Sequence, residues 1–254
     1  MIADLKDKVV LITGASTGIG SAVAQGFAAH GAKVVVNYNA SAEQAGAVAK
    51  LIADAGGEVL LHQADVTDTA ALSGLVDATV AKFGRIDVLV NNAGAMLGRV
   101  PTVEMDDAHF ERVMRLNCWS VFALSRAVAP VMAGGGGGSI INVTSIAARN
   151  GGGGGANIYG AAKGFVSSFS KGLARELVAD KIRVNAVSPG VIATPFHERY
   201  SSAEQMEMMR RQVPMGRVGE SEDCVGAFLF LAAPSLSGYM TGQIIEVSGG
   251  QVMP

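Results

Sequence analysis

Cysteine, tryptophan and charged residues are all scarce in this chain of 254 residues, and each scarcity narrows what the protein can be. The two cysteines, Cys118 and Cys224, lack the spacing of a zinc or redox motif, and the four histidines are scattered along the chain. We therefore expect buried structural thiols and no metal site.

The balance of charge argues against polyanionic partners. The formal net charge is −2 and no long basic run occurs, so the electrostatic footprint of a protein that binds nucleic acid or an anionic membrane is missing. Charged residues make up 17% of the chain and hydrophobic residues 49%, which indicates that much helix surface is buried, in part between subunits. We expect a homodimer or homotetramer, with neither nucleic acid nor a membrane as partner.

Long hydrophobic runs are also missing. No N-terminal stretch joins a basic segment to an apolar core, and the longest apolar stretches are broken by glycine, serine or charge before they reach membrane-spanning length. We expect a cytoplasmic protein.

Short β-branched runs alternate with segments of helical periodicity. The runs cover residues 9–12, 34–36, 59–61, 86–90, 140–143, 182–187 and 244–247. Amphipathic segments such as 42–55 and 69–83 lie between them and suit right-handed crossover helices. The pattern predicts an α/β fold: one domain over residues 1–254, with a doubly wound parallel sheet of about seven strands and helices on both faces.

Two glycine runs flank the fifth predicted strand. Residues 134–138 stand where a helix ends and turns into that strand, and residues 151–155 stand where tight turns use positive φ. Simple tolerance of glycine in loops explains any single glycine here equally well.

Tyr159 and Lys163 stand four residues apart, which places both side chains on one face of a helix. A free tyrosine with a pKa of roughly 10 is only about 0.1 per cent ionised at neutral pH. An ammonium about 5 Å away stabilises the phenolate by roughly 3 kcal/mol, or about two pKa units. We therefore expect Lys163 to lower the pKa of Tyr159. Chance produces such a pair in about one chain of this composition in eight, so the surrounding motifs decide its meaning.

The octet at residues 13–20, Thr-Gly-Ala-Ser-Thr-Gly-Ile-Gly, follows the first predicted strand and opens a helix. Its glycines let the backbone approach a pyrophosphate, whose charge is favoured by the free amides and the dipole of the helix N-terminus. An ordinary turn is the alternative, and the position between a strand and a helix favours dinucleotide binding.

Further motifs stand in order behind this octet: Asn-Asn-Ala-Gly at 91–94, Ser145, the pair Tyr159 and Lys163, and Pro-Gly at 189–190. Together with the octet, they resemble the short-chain dehydrogenase/reductase family over essentially the whole chain, and most of all its branch of bacterial 3-oxoacyl-acyl carrier protein reductases and glucose dehydrogenases. The resemblance implies a Rossmann-type fold. It also implies NAD(P)-dependent transfer of a hydride between the nicotinamide and a carbonyl or secondary alcohol.

By this resemblance, four residues are catalytic: Asn117, Ser145, Tyr159 and Lys163. Tyr159 is the general acid in reduction and the general base in oxidation, and Ser145 hydrogen-bonds the substrate oxygen. Lys163 holds the nicotinamide ribose, and Asn117 binds a water that links Lys163 to solvent. A strand-end capping hydroxyl is the alternative for Ser145, and a structural amide is the alternative for Asn117.

The same resemblance assigns contacts to the dinucleotide. Asp65 and Val66 match the pair that receives the adenine ring, although a helix N-cap is an equally simple role for Asp65. The expected cofactor-binding residues are Gly14, Ser16, Thr17, Gly18, Ile19, Gly20, Asn37, Tyr38, Asn39, Asp65, Val66, Asn92, Ala93, Gly94, Tyr159, Lys163, Pro189, Gly190, Ile192 and Thr194.

The choice of cofactor turns on the end of the second strand. An NAD-preferring site places an acidic residue there, yet residues 21–42 contain none. Asn37-Tyr38-Asn39 stands in its place, and these amides with Ser41 can hydrogen-bond a 2′-phosphate, which favours NADP over NAD. Thr17 stands where many NADP-preferring relatives carry arginine, so use of both cofactors stays open.

Residues 191–215 occupy the place of the family's mobile substrate lid, which excludes water and sets specificity. Its Met-rich stretch 206–209 suits lid packing, and its run 197–199, His-Glu-Arg, suits a hydroxylated or charged substrate. Arg99, Arg149 and Arg199 are candidates for a basic surface that would receive an acidic carrier protein.

We place a 3-oxoacyl or small-ketone reductase ahead of a sugar or polyol dehydrogenase. The alternative of another class is a dinucleotide-binding regulator without catalytic activity, because the fold alone does not establish function.

Overall fold

Seven parallel strands form one sheet in the order β3-β2-β1-β4-β5-β6-β7. The computed structural model describes residues 1–253. The strands are β1 Val9–Ile12, β2 Lys33–Tyr38, β3 Val59–Gln63, β4 Val88–Asn91, β5 Gly138–Val143, β6 Ile182–Pro189 and β7 Ile244–Val247. The predicted α/β fold with a doubly wound parallel sheet is confirmed.

Helices connect the strands and cover both faces of the sheet. They are α1 Gly18–Ala29, α2 Ala42–Asp54, α3 Thr69–Phe83, α4 Asp107–Met114, α5 Ser120–Gly134, α6 Ala147–Asn150, α7 Asn157–Leu177, α8 Pro195–Tyr200, α9 Ala203–Arg211, α10 Ser221–Ala232 and α11 Pro234–Ser237. The helices predicted at 42–55 and 69–83 correspond to α2 and α3. Several strands extend beyond their β-branched runs at the carboxyl end, because polar residues there still complete the parallel ladder.

Alternation along β1 divides the core into two layers, since successive side chains of a strand point to opposite faces. Val10 and Ile12 belong to the apolar cluster that includes Phe27 of α1 and Phe228 of α10. Leu11 belongs to the cluster on the other face, with residues of α3 and α5. Burial of β1 on both faces fixes it at the centre of the molecule.

The two cysteines are buried free thiols, as expected: Cys224 belongs to the cluster with Phe27 and Phe228, and Cys118 to a separate small cluster with Val113 and Ala162. Cys224 of α10 is fully buried and Cys118 is 6% exposed.

The helical run 107–134, which contains α4 and α5, is the one segment of residues 1–253 with the length and apolar composition of a membrane span. Half of its most apolar window is buried inside the fold, and α5 supplies side chains to the sheet-facing cluster. This is the packing of a core helix.

Seven residues of the two glycine runs adopt conformations that only glycine reaches at low cost. Gly136 and Gly137, with φ of 93° and 114°, turn the chain from the end of α5 into β5. All five glycines of 151–155 have positive φ. Conformation therefore accounts for these seven glycines, beyond simple tolerance of glycine in loops, whereas Gly134, Gly135 and Gly138 have no positive φ.

β1 lies between β2 and β4. The chain adds β2 and β3 on one side of β1 and then crosses to the other side to form β4. In sheets of this kind the crevice at the carboxyl ends of the diverging strands is the place where ligands bind. The motifs at 13–20 and 91–94 follow β1 and β4, which brings both to this crevice.

Leu11→Ala should reduce the free energy of unfolding by about 2–5 kcal/mol, because Leu11 is fully buried and the shorter side chain leaves a cavity in the core. The matched control is Leu51→Ala on α2, where the side chain is 56% exposed, and where we expect a change within about 0.5 kcal/mol. Denaturant unfolding at equal protein concentration measures both. Equal losses in the two variants would contradict the assigned core.

Candidate active site

A cavity of about 800 Å³ opens at the carboxyl ends of the strands. Most of the residues expected to bind the cofactor or act in catalysis line it. They are Gly14, Ser16, Thr17, Gly18, Ile19, Gly20, Asn39, Asn92, Ala93, Gly94, Ser145, Tyr159, Lys163, Pro189, Gly190, Ile192 and Thr194. The remaining expected residues, Asn37, Tyr38, Asp65, Val66 and Asn117, are not part of its lining.

The glycine loop meets the turn after β4 backbone to backbone. A Cβ on Gly14 would lie 3.0 Å from the Cα of Ala93, and one on Gly20 would overlap the carbonyl oxygen of Gly14. The Thr13 hydroxyl accepts hydrogen bonds from the amides of Asn92 and Ala93, both at 3.0 Å. Glycine is thus required here by close approach.

The first turn of α1 keeps its amides available. The N-cap residue, Thr17, makes no capping hydrogen bond with its side chain, and the first helical residue, Gly18, has a φ of 55°. Because the loop lines the cavity, these amides and the positive end of the helix dipole suit a pyrophosphate group.

Asn37 has a different position from the one expected. Its side chain is 1% exposed, its Nδ2 donates to the carbonyl of Ala64 at 3.0 Å, and its Oδ1 accepts from the amide of Gly14 at 3.3 Å. Asn37 therefore ties the glycine loop to the neighbouring strands. Of the three residues 37–39, only Asn39, which follows the end of β2, lines the cavity.

Asp65 and Val66 lie beside the crevice. The Asp65 carboxylate accepts from the amide and the hydroxyl of Thr67, both at 2.8 Å, and Val66 is buried. The alternative role of Asp65 as a helix N-cap is wrong, because Asp68 caps α3 by accepting from the amides of Ala70 and Ala71.

Tyr159 stands in the first turn of α7, opposite the loop that carries Ser145. The side chain as a whole is half-buried, but loss of solvation around its hydroxyl raises the pKa of Tyr159 to about 12. The nearby Ser145 hydroxyl opposes this shift in part. The phenol is therefore protonated at neutral pH.

Lys163 is 3% exposed and donates from Nζ to the carbonyl of Val143 at 2.8 Å. Burial lowers the pKa of Lys163 to about 8, and the nearby Cys118 opposes this in part. Its Nζ lies 5.7 Å from the centre of the Tyr159 ring. The expected lowering of the Tyr159 pKa by Lys163 is not what the structure gives, because desolvation of the phenol dominates.

Asn117 lies in a single π-helical turn, Arg115–Trp119, between α4 and α5. Its Nδ2 donates to the carbonyls of Ala95 and Val113 at 2.8 and 2.9 Å, while its buried Oδ1 has no partner among residues 1–253. A Cβ on Gly94 would lie 2.7 Å from that Oδ1 and 3.1 Å from Lys163 Nζ. Asn117 and Lys163 thus border the same small space at Gly94.

The segment 191–215 supplies one wall of the cavity with α8 and α9. Of its residues discussed above, His197, Arg199, Met208 and Met209 line the cavity, whereas Glu198 and Met206 do not. Phe196, which the sequence analysis missed, places its ring 5.6 Å from that of Tyr159. Its one sequence signal is an aromatic residue next to Pro195 at the start of the segment.

The opposite wall includes residues of the stretch 95–99, which the sequence analysis also left unassigned apart from Arg99. Leu97 and Gly98 in this stretch have φ of 60° and 129°. Within residues 1–253, no three His, Cys, Asp or Glu side chains come together as a metal site would need.

Comparison with known proteins places this geometry in context. A family model described as enoyl-(acyl carrier protein) reductase matches residues 14–251. The chain is 42% identical to a 3-oxoacyl-[acyl-carrier-protein] reductase of Synechocystis sp., over 98% of both chains. It is 36% identical to 3beta-hydroxysteroid dehydrogenase 1 of Eggerthella lenta, over 100% of this chain and 97% of that one.

Two solved structures are similar over the same length. A 7α-hydroxysteroid dehydrogenase complexed with NADH and 7-oxo glycochenodeoxycholic acid gives a TM-score of 0.93 at 38% identity, covering 99% of this chain and 98% of that one. NADH-dependent reductase A1-R′ complexed with NAD gives a TM-score of 0.88 at 37% identity, with complete coverage of both chains.

Proposed function

This chain belongs to the short-chain dehydrogenase/reductase family and is an oxidoreductase that acts on carbonyl or CH–OH groups with a nicotinamide cofactor, and we propose that it is a reductase of 3-oxoacyl groups or small ketones. The observation that carries the proposal is that Tyr159, Ser145 and Lys163 line the same cavity as the glycine loop. The 3-oxoacyl-[acyl-carrier-protein] reductase to which the chain is similar supports the 3-oxoacyl class.

The proposed chemistry places a proton donor and a hydrogen-bond donor at one oxygen. A nicotinamide cofactor, when bound, would supply the hydride for a carbonyl carbon, and negative charge would then develop on the carbonyl oxygen. Tyr159 donates its proton to that oxygen, and the Ser145 hydroxyl stabilises the developing charge. With its pKa raised to about 12, Tyr159 carries at neutral pH the proton that reduction consumes.

Lys163 and Asn117 support this step in the proposal. Lys163, charged for the most part at neutral pH with its pKa of about 8, holds the nicotinamide ribose and replaces the proton that Tyr159 gives up. The unpaired Oδ1 of Asn117 beside Lys163 suits a water molecule that continues this path to solvent. The bordering glycine, Gly94, leaves the room that such a water needs.

The dinucleotide contacts form a second part of the proposal. The loop 14–20 and the turn 92–94 would hold the pyrophosphate and the adenosine ribose. Pro189, Gly190, Ile192 and Thr194 would hold the nicotinamide end. We assign Asn37 a positioning role through Gly14, because its side chain is already committed to protein partners.

We further propose that residues 191–215 form a lid over the substrate. Their helices α8 and α9 line the cavity with aromatic and methionine side chains, so movement of this segment would expose the site to water. A sugar or polyol substrate is the second candidate, favoured by the polar side chains of His197 and Arg199 on the same wall. A cytoplasmic location without nucleic-acid or membrane partners stays part of the proposal, supported by the net charge of −2.

A kinetic matrix of NADH and NADPH against a panel of 3-oxoacyl thioesters, small ketones, sugars and polyols tests the proposed substrate class. We expect the 3-oxoacyl thioesters and small ketones to react faster than the sugars and polyols. Cofactor binding without turnover of any carbonyl or alcohol would contradict the enzymatic mechanism.

Tyr159→Phe should lower kcat by at least about a hundredfold, because it removes the proton donor from a step worth about 10²–10⁴-fold. We expect the dissociation constant of the cofactor to stay within about threefold, since only one hydroxyl is lost. Tyr239→Phe, at a fully exposed residue, is the matched control and should retain wild-type kinetics. Activity of Tyr159→Phe within about tenfold of wild type would refute the proton-transfer role.

We propose NADP ahead of NAD, with use of both. No carboxylate lines the cavity at the end of β2, where Asn39 stands, so a 2′-phosphate meets no repulsion there. Two observations support use of NAD as well: Thr17 stands where many NADP-preferring relatives carry arginine, and the similar structures are complexed with NADH or NAD.

Asn39→Asp should lower the NADPH-to-NADH ratio of kcat/KM by at least about tenfold, because a carboxylate repels the 2′-phosphate and accepts from ribose hydroxyls. Asn150→Asp makes the same charge change on the cavity wall at α6, where the side-chain oxygen accepts from the amide of Gly152. We expect that control to leave the ratio within about twofold. If both variants changed the ratio equally, the adenosine ribose would not lie at Asn39.

The proposal also includes a homodimer or homotetramer. Phe165 of α7 is 39% exposed and stacks on Phe169 at 5.5 Å, and Phe122 of α5 is 37% exposed and packs edge-on against Phe169. This aromatic patch on two adjacent helices suits burial against a second copy.

Light scattering at micromolar concentration should give a mass of two or four chains. Phe165→Lys should shift this mass toward the monomer, because a charge would then be buried at the interface. Lys171→Met, on the same helix, is the control and should leave the mass unchanged. A monomeric wild-type protein would reject the oligomer.

A further inference from the structure

The cavity wall is one-sided in charge. Among residues 1–253, the lining includes Arg99, Lys163, Arg199 and the half-buried His197, yet it contains no aspartate or glutamate. The chain as a whole has 22 acidic and 20 basic residues, so the imbalance belongs to the cavity and not to the composition. Walls of low dielectric concentrate such a field and favour an anionic occupant.

The cations occupy different ends of the cavity. The pyrophosphate of the dinucleotide is expected at the glycine loop, and Lys163 lies at Tyr159. Arg99 lies at the other end, because its Nε donates to the carbonyl of Tyr200 at 2.8 Å and its Nη1 donates to the carbonyl of Gly154 at 3.2 Å. The phosphate groups of the cofactor therefore do not account for Arg99.

A chain of aromatic contacts connects this end to the proposed proton donor. The ring of Tyr200 lies 5.1 Å from that of Phe196, whose ring lies 5.6 Å from that of Tyr159. Arg99 at the Tyr200 carbonyl and Arg199 next to it in sequence thus stand on the substrate side of Tyr159.

The charges of these two arginines are not neutralised by protein groups. All hydrogen bonds of Arg99 go to carbonyl oxygens, its Nη2 makes none, and Arg199 has neither a hydrogen bond nor an ion pair within residues 1–253. Nearby arginines differ, since Arg210 and Arg211 both pair with Glu207. The positive charge at the cavity is therefore available to a ligand.

His197, on the same wall, is affected by the charge of Arg99. Burial and the charge of Arg99 both lower the pKa of His197, whose Nδ1 lies 3.1 Å from the hydroxyl of Ser201. A cation thus acts on this wall with no anion to balance it. His197 stays neutral and contributes a hydrogen bond rather than charge.

We propose that the substrate is a ketone that carries an anionic group, a carboxylate in the simplest case, which binds Arg199 and the free Nη2 of Arg99 while the ketone lies at Tyr159. This inference rests on the proposed function and specifies its substrate. Hydride transfer to the carbonyl carbon and proton transfer from Tyr159 to the oxygen convert the ketone to an alcohol, and the anionic group is unchanged. The apolar side chains of Met96, Leu97 and Met208 line the cavity and suit the carbon chain between the two ends.

The first experiment compares a homologous series of straight-chain oxo acids with their methyl esters. For the best chain length, the acid should exceed its ester in kcat/KM by at least about tenfold, because hydrogen bonds between charged groups contribute about 1.5–3 kcal/mol. Arg199→Gln should bring the acid-to-ester ratio close to one. Arg112→Gln, at an exposed residue of α4 outside both the lid and the cavity lining, removes the same charge and should keep the wild-type ratio.

A binding measurement separates this inference from the proposed function. Calorimetry with straight-chain carboxylic acids and the corresponding amides, in the presence of NADH or NADPH, requires no turnover. We expect the acids to bind more tightly than the amides by at least about tenfold in the wild type and equally in Arg199→Gln. Preference for acids without turnover would contradict the reductase alone, whereas turnover of ketones with no preference for acids would contradict only the anionic substrate.

The anion can also be a phosphate of a carrier-bound substrate. Comparison of a 3-oxoacyl coenzyme A thioester with the uncharged N-acetylcysteamine thioester distinguishes this source from a carboxylate. If Arg199→Gln lowers kcat/KM for the coenzyme A thioester and for no other substrate, the anion that binds here is a phosphate. Insensitivity of every anionic substrate and ligand to Arg199→Gln would overturn the proposal.

Discussion

The direct contact between the glycine loop after β1 and the turn after β4 is the constraint on which the cavity depends. Gly14 has no side chain that could hold Ala93 away, and the Thr13 hydroxyl binds the two amides that begin the turn. The backbone of the loop after β1 and of the turn after β4 thus forms the floor of the crevice. An alanine at Gly14 would also have to adopt a φ of 61°, so sterics and conformation require the same residue.

Desolvation outweighs charge pairing at the Tyr159 and Lys163 pair. Two charges at this separation attract by roughly 3 kcal/mol at an effective dielectric of about 20, but each charged form must first lose much of its hydration. Burial therefore moves the pKa of Tyr159 up and that of Lys163 down, toward the neutral form of each. The pair is suited to passing a proton, since neither group is locked in its charged state.

The features that sequence could predict are those encoded locally. Seven β-branched runs predicted the seven strands, because residues that favour a strand follow one another within a few positions of the sequence. Most of the loop 13–20 and the pair 159 and 163 line one cavity, and sequence could single them out because each motif is short and stands at the end of a strand or on one helix.

Features that depend on distant contacts escaped prediction. The side chain of Asn37 is oriented by Ala64 and by the amide of Gly14, and both partners are set by the pairing of strands. The bonds of Arg99 join residues separated by 54 to 101 positions in sequence. The shift of the Tyr159 pKa depends on burial of its hydroxyl in the folded protein, which spacing along a helix does not describe.

The glycine run 151–155 connects backbone conformation to the charge of the cavity. Consecutive residues with positive φ let this loop present the carbonyls of Gly153 and Gly154 to Arg99, at 3.4 and 3.2 Å. Carbonyl oxygens satisfy the hydrogen-bonding needs of a guanidinium, so Arg99 is held in place, but as neutral dipoles they leave its net charge uncompensated. A carboxylate in the same position would bind Arg99 equally well and cancel its field. The backbone carbonyls therefore fix the position of Arg99 without neutralising it, and its positive charge still acts on the cavity.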